Sequence, residues 1–236
     1  MIYMTGSGLT KKTFPILTTH HKIGLLAQPK SYGHETVSKF SCWAADTGCF
    51  TLGARFNEAV WMRWLTRLAA QSSRCMFVTA PDVVGDPRAT WERSRHLIGP
   101  IRSLGFRAAL VAQDGLTEQS TPWSEFDAIF IGGSTDWKLS GQARRLVEAA
   151  KQRGMWAHMG RVNSFRRFKL AEDFGCDSVD GTYLGFGPDV NLPKMLRWLE
   201  GSTCLQAGVF EARSRGGEAV NCSRTETNLM AFIDFD

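Results

Sequence analysis

Short, continuously apolar runs alternate with longer amphipathic stretches along most of this chain, and that alternation restricts its fold more than any other feature. Residues 22–27, 40–45, 75–80, 107–112, 127–131, 155–159 and 176–179 read as strands. Most of these runs lack the polar–apolar alternation of a half-solvated sheet, as expected of parallel strands covered on both faces by helices. Between them, residues 57–71 carry Val60, Trp61, Trp64, Leu65 and Leu68 at helical spacing. Pro87 opens a helix that runs to about Leu104 and stops at Gly105, and residues 139–152, 164–174 and 192–200 are further helices. A strand near residues 14–17 brings the strands to about eight, the number a (β/α)8 TIM-like barrel requires. With 236 residues that barrel is small and partly degenerate, with some outer helices short or missing. A doubly wound open sheet is the main competing α/β architecture. The barrel is expected over residues 1–200. Beyond Gly201 the chain turns to Ser, Thr, Arg, Gly and Glu, with only residues 229–233 apolar, and 201–236 are expected to form a tail packed on the barrel.

Composition narrows the function classes. A chain 43% hydrophobic and 22% charged can bury a core and is not disordered. No apolar stretch approaches the roughly 20 residues of a membrane span, and residues 1–6 show no basic region leading into an apolar run, so a cytoplasmic protein is expected. Twenty-eight Lys and Arg against 23 Asp and Glu leave a net charge of +5, which suits a polyanionic partner without identifying one. The six cysteines include no C-x-x-C pair, which excludes a zinc ribbon or a thioredoxin-like site. His20, His21 and His34 lack metal-ligand spacing, and His158 inside a strand reads as a core histidine, so no metal is expected. Residues 6–13 mimic a phosphate loop but place Lys11 where the second glycine belongs.

The residues just beyond each strand are more informative. Asp46-Thr47-Gly48-Cys49-Phe50, Pro81-Asp82, Gln113-Asp114-Gly115, Gly132-Gly133-Ser134, Gly160-Arg161 and Asp180-Gly181-Thr182 each end one. In a parallel barrel all these ends meet on the rim where active sites lie. Alone, Asp82 or Asp114 is most simply an N-cap and Gly132-Gly133 a turn. Together they describe a polar pocket.

The order of these segments resembles that of the queuine/archaeosine tRNA-guanine transglycosylase superfamily. It is most similar to the short phage and bacterial branch that places 7-deazaguanines in DNA, the DpdA family. The resemblance spans roughly residues 40–182. Asp46-Thr47-Gly48-Cys49-Phe50 resembles the family's D-S-G-G-[FY] segment, Gln113-Asp114-Gly115 its Q-G-G and Ile131-Gly132-Gly133 its I-G-G. Met159-Gly160 is similar to its L-M-G-V, and residues 175–180 to its G-[IVC]-D-x-[FV]-D. By this resemblance Asp180 is the nucleophile that attacks the sugar C1′, and Asp46 the general acid and base. Asp82 and Gln113 bind the purine edge, backbone amides at Gly132 and Gly133 read its carbonyl, and Phe50 and Met159 sandwich the base. The tRNA enzymes' C-x-C-x-x-C…H zinc site is missing, since only Cys204 and Cys222 come after the barrel. The basic stretch after their nucleophile is missing too, which favours DNA over tRNA. Lys138, Arg161, Arg166 and Arg167, with Lys169, are the candidates for backbone phosphates.

The chemistry is consistent with those residue types. Replacing a base with retention takes two displacements, hence one carboxylate nucleophile and a second carboxyl for proton traffic. The resemblance implies exchange of guanine in DNA for a free 7-deazaguanine, 7-cyano-7-deazaguanine (preQ0), without cofactor or metal, in the cytoplasm (the host's, if phage-encoded). The same chemistry on tRNA is one alternative. A nucleoside or glycoside hydrolase using Asp46 and Asp180 is another, and a catalytically inert nucleic-acid-binding barrel a third.

Overall fold

The computed structural model describes residues 1–202; the expected tail over 201–236 lies almost wholly outside the described residues. Eight parallel strands close into a barrel in chain order: β1 Ile2–Thr5, β2 Ile23–Ala27, β3 Trp43–Ala45, β4 Cys75–Thr79, β5 Ala108–Ala112, β6 Ala128–Ile131, β7 Trp156–Met159 and β8 Ser178–Gly181. β1 pairs with both β2 and β8, which completes the ring. The helices are α1 Phe14–Thr19, α2 His34–Val37, α3 Cys49–Leu52, α4 Glu58–Arg67, α5 Pro87–Ser103, α6 Thr135–Lys138, α7 Gly141–Gln152, α8 Phe165–Phe174 and α9 Pro188–Glu200. The fold is therefore a (β/α)8 TIM barrel, with short helices after β2 and β3 and no α-helix between β5 and β6.

One strand departs from the sequence reading. Residues 14–17 begin a helix, because Pro15 sits in its first turn where a missing N–H costs nothing. The first strand is instead Ile2–Thr5.

Alternation along the strands divides the core in two. One set of side chains, including Tyr3, Leu25, Trp43, Val78, Ile129 and Met159, packs in the principal core cluster shared with the outer helices. The opposite set, Met4, Leu26, Cys42, Ala44, Phe77, Ala109 and Ala128, forms a separate cluster inside the barrel, with Phe130 and Trp156 against it. Small residues at several interior positions suit so narrow a ring.

The start of the strands is fastened by buried or half-buried carboxylates. Asp127 accepts from Arg102 and from the Ala108 amide, and Asp177 from Lys151 and the Ala157 amide. Each pins a strand start to its neighbour and to the preceding helix, which leaves the opposite rim for chemistry. No helix among the described residues is long and apolar enough to cross a membrane.

Candidate active site

At the C-terminal rim a cavity of about 310 Å³ opens into the barrel, a volume suited to a small ligand such as a base. Asp46, Asp82, Gln113 and Asp180 line it together with Phe50, Gly132, Gly133, Lys138 and Arg161, so most residues singled out in the sequence converge there from β3, β4, β5, β6, β7 and β8.

Asp46 leaves β3 and accepts from Gln28 Nε2 at 2.7 Å on Oδ2 and from Thr79 Oγ1 at 3.1 Å on Oδ1, with a further backbone hydrogen bond from Gly48. Burial and the charge of Asp180 nevertheless raise its proton affinity, outweighing those bonds. Asp46 is thus disposed to keep a proton. Asp82 caps no helix, since Asp86 caps α5 through the Ala89 amide. Burial, reinforced by Asp46, pushes Asp82 up to about 6. Gln113 is almost fully buried: its Nε2 donates one proton to Asp82 Oδ2 at 2.7 Å and its Oε1 accepts from the Gly85 amide at 3.0 Å, which leaves the second Nε2 proton for a purine edge in the cavity it lines. It aims Asp82 into the cavity.

Asp180 ends β8 on the interior side, opposite Met4 of β1. Beneath it lies a chain of hydrogen bonds that sequence reasoning missed. Trp156 Nε1 and Ser178 Oγ are 2.9 Å apart, Ser178 Oγ and His158 Nδ1 2.8 Å, and His158 Nε2 and Asp180 Oδ1 2.9 Å. An indole N–H can only donate, so Ser178 accepts it, and every partner in the chain is satisfied when the Ser178 hydroxyl donates in turn to Nδ1. Nε2 then carries the imidazole proton and donates to Oδ1, which leaves Oδ2 of Asp180 for a reacting atom. His158 is fully buried between Phe77 and Phe130, its ring centre 5.0 and 4.5 Å from theirs. The sequence placed it correctly in the core; strand parity with Trp156 was the signal that it lies under Asp180.

Three expected roles are corrected by the geometry. Met159 does not line the cavity: next to inward-facing His158 it points outward, fully buried in the principal core. The apolar surfaces that do line it are Leu26, Val84, Val111 and Phe130, with Phe50 at the mouth. The Gly132 amide is spent on Ala112 O at 3.0 Å, so only the Gly133 amide, which has no partner among the described residues, is available to a ligand carbonyl. Lys138 is not a surface contact for phosphate. The single turn of α6 folds it back, almost fully buried, with Nζ donating to Gly160 O at 2.8 Å. Burial, and then Arg161, bring it down to about 8 while the charge of Asp180 opposes them.

Arg161 sits at the rim with φ of +58°, a left-handed conformation unusual for a residue with a side chain. Its guanidinium donates to Gly133 O and lies 5.4 Å over the Phe50 ring. Arg166 is exposed and Arg167 half-buried; with Lys169 they line a separate cleft at the start of α8, outside the cavity. Two glycines are required by close approach. A Cβ on Gly160 would lie 2.7 Å from Phe130 and 3.3 Å from Asp180 Oδ1. Gly133, with φ of +66°, would meet Asp114 Oδ1 at 2.3 Å. Asp114 itself ties two rim loops together by accepting the Ser134 amide at 2.5 Å. No group of His, Cys, Asp and Glu among the described residues could hold a metal ion.

No family model matches the sequence, and no curated protein is detectably similar to it. Solved structures are similar to the chain at low sequence identity. The tryptophan synthase α-subunit of Pyrococcus furiosus is 13% identical, covering 84% of this chain and 94% of its own, with a TM-score of 0.51. The BexX/CysO complex of Amycolatopsis orientalis is 15% identical, covering 85% of this chain and 92% of the matched one, at a TM-score of 0.47. At 13% identity the likeness to the α-subunit extends to the fold alone.

Proposed function

We propose that this protein is a DNA-guanine transglycosylase, which exchanges guanine in DNA for a free 7-deazaguanine, preQ0, through a covalent sugar–enzyme intermediate. The observation that carries the reading is the pairing of Asp46 and Asp180 in one cavity. One carboxyl is held protonatable by burial and by its partner's charge, and the other has one oxygen tied down and one free.

In the first displacement Asp180 Oδ2 bonds to C1′ of the flipped nucleotide as the C1′–N9 bond breaks. The electron pair leaves with guanine, and Asp46 supplies the proton. Guanine departs and the 7-deazaguanine takes its place. Its N9–H proton passes to the Asp46 carboxylate, N9 bonds to C1′, and the ester to Asp180 breaks. Two inversions give retention, and both carboxyl groups return to their starting states. Neither half needs a metal or redox group. Asp82, aimed by Gln113, accepts from the N–H groups on the purine edge, the Gly133 amide donates to its carbonyl, and Phe50 supplies part of the stacking lost on leaving the duplex.

The direct test is incubation of the full chain with a guanine-containing DNA duplex and isotopically labelled guanine. Incorporation of label into DNA is the expected result. Release of guanine without incorporation would replace the transferase by a hydrolase on the same carboxylates, and incorporation only in a parallel incubation with tRNA would move the substrate to RNA.

The geometry predicts two further outcomes. Phe50 is 67% exposed. Phe50→Ala should therefore raise KM for the incoming base about tenfold through lost stacking, with a stability change within about 0.5 kcal/mol. Titration of the base in steady-state exchange, beside a thermal melt, checks both. Asp82 binds its proton more tightly folded than unfolded, so the stability it contributes is full below the ordinary carboxylate range and is lost as pH rises through about 6. Asp82→Asn should thus be more stable than the wild type at pH 8, by about 1–3 kcal/mol, and show no gain near pH 4. Denaturant melts at the two pH values test this, and a gain that persists at pH 4 would contradict it.

A further inference from the structure

A second cavity, of about 490 Å³, adjoins the first on the far side of the loop after β3. Thr47 and Leu52 of that loop face the second cavity, while Gly48, Phe50 and Thr51 face the first, so one short segment walls both. The opposite wall is α4, which presents Val60, Arg63, Trp64 and Arg67 at the i, i+3, i+4, i+7 spacing of a single helix face. Lys30, from the loop after β2, and Arg55 complete a ring of four cations.

Several observations make this groove more than a solvated helix face. No carboxylate lines it, and none of Lys30, Arg55, Arg63 and Arg67 is in an ion pair or side-chain hydrogen bond among the described residues. The one acid at the start of α4, Glu58, is engaged by His96 at 3.1 Å. Aromatic surface is interleaved with the charge. Trp64 is fixed by its Nε1 donating to Tyr32 O at 3.0 Å, and Phe56 lies beside Trp61, ring centres 6.3 Å apart. Trp61 lines the groove with its buried indole N–H lacking a partner among the described residues. Arg93 couples the two cavities: its Nη1 donates to Asp82 O at 2.9 Å, and its guanidinium lies 5.3 Å over Phe56.

We propose that this groove is a subsite for the DNA strand next to the target nucleotide, with arginines on its phosphates and Phe56 and Trp64 against a flanking base. Unpaired cations with interleaved aromatic rings are what a single-stranded segment requires, since phosphates supply the charge and every base has a face to stack. A nucleotide flipped into the first cavity leaves its neighbour at the shared wall, one step from the groove. The subsite rests on the reading of DNA as substrate.

The experiment is fluorescence anisotropy of a fluorescein-labelled single-stranded deoxyoligonucleotide with one guanine. It is read against salt concentration for the full chain, for Arg63→Glu/Arg67→Glu, and for Arg63→Lys/Arg67→Lys. Arg145→Glu/Lys194→Glu, outside both cavities, carries the same change in net charge and serves as the control. The groove variant should bind at least about tenfold more weakly than the control, and its slope of log K on log salt should be shallower by roughly 1.4, for two lost phosphate contacts on a single strand. The lysine pair should recover most of the affinity. In the exchange assay the groove variant should show a raised KM for DNA at little-changed kcat. A groove variant that binds like the control with an unchanged slope overturns the subsite, as does a wild type that binds stem-loop RNA in preference to DNA through other residues. If the groove variant loses binding but no protein exchanges guanine, the subsite stands and the proposed reaction falls. If exchange proceeds and the groove variant matches the control, only the subsite falls.

Discussion

Asp180→Asn is expected to lower guanine exchange by about 10⁴-fold or more while leaving the fold and DNA binding nearly intact. The size reflects the group removed: an amide cannot form and release the glycosyl ester on which both displacements depend, and losses of this order accompany deletion of a covalent nucleophile. The fold survives because Asn still offers an oxygen to the His158 Nε2–H, and among the described residues Asp180 makes no backbone cap or ion pair with a surface cation. Single-turnover exchange with labelled guanine, together with intact-protein mass spectrometry of enzyme mixed with DNA, separates the possibilities. The wild type should accumulate a DNA adduct when the departing guanine is washed away, and the variant none. Normal turnover in the variant would exclude Asp180 as the nucleophile.

Asp46→Asn is expected to cost about 10²–10⁴-fold, the range for loss of a positioned acid and base, and to change the shape of the pH profile as well as its height. Asp46 holds its proton above the ordinary carboxylate range because it is buried and faces Asp180. In the wild type, exchange should therefore decline on the alkaline side as Asp46 loses the proton it delivers to the leaving base. The variant, with no proton to lose, should lack that limb. The same raised affinity makes the Asp46 charge a burden on the fold at alkaline pH, so the Asn variant should melt higher than the wild type there and not in acid. A wild-type alkaline limb retained in the variant would assign the proton to another group.

Much of this was legible in the sequence, for physical reasons that particular residues make plain. The doubly covered strands announce themselves as continuous apolar runs, and the rim could be read because polar residues come directly after them, as Asp46 does after Trp43–Ala45 and Asp82 soon after β4. The first strand escaped because Ile2–Thr5 is four residues long, while residues 14–17 look like a strand until Pro15 is given its place in a helical first turn. Met159 and His158 are adjacent, and only knowledge of which strand face lines the barrel tells which of them belongs to the site; the register Phe130 to His158 to Ser178 settles it. Lys138 depended on a one-turn helix that no periodicity could reveal. Gln28 and Thr79, which hold Asp46, lie 18 and 33 residues from it, and such pairings appear only when the ring closes.

The central claim is tested most directly by mass spectrometry of nucleosides from the DNA of cells that express this protein together with the enzymes making 7-deazaguanines. A 7-deazaguanine deoxynucleoside present with the wild type and absent with Asp180→Asn is the predicted result. Unmodified DNA, whether or not the tRNA of the same cells carries the deazaguanine, would contradict it.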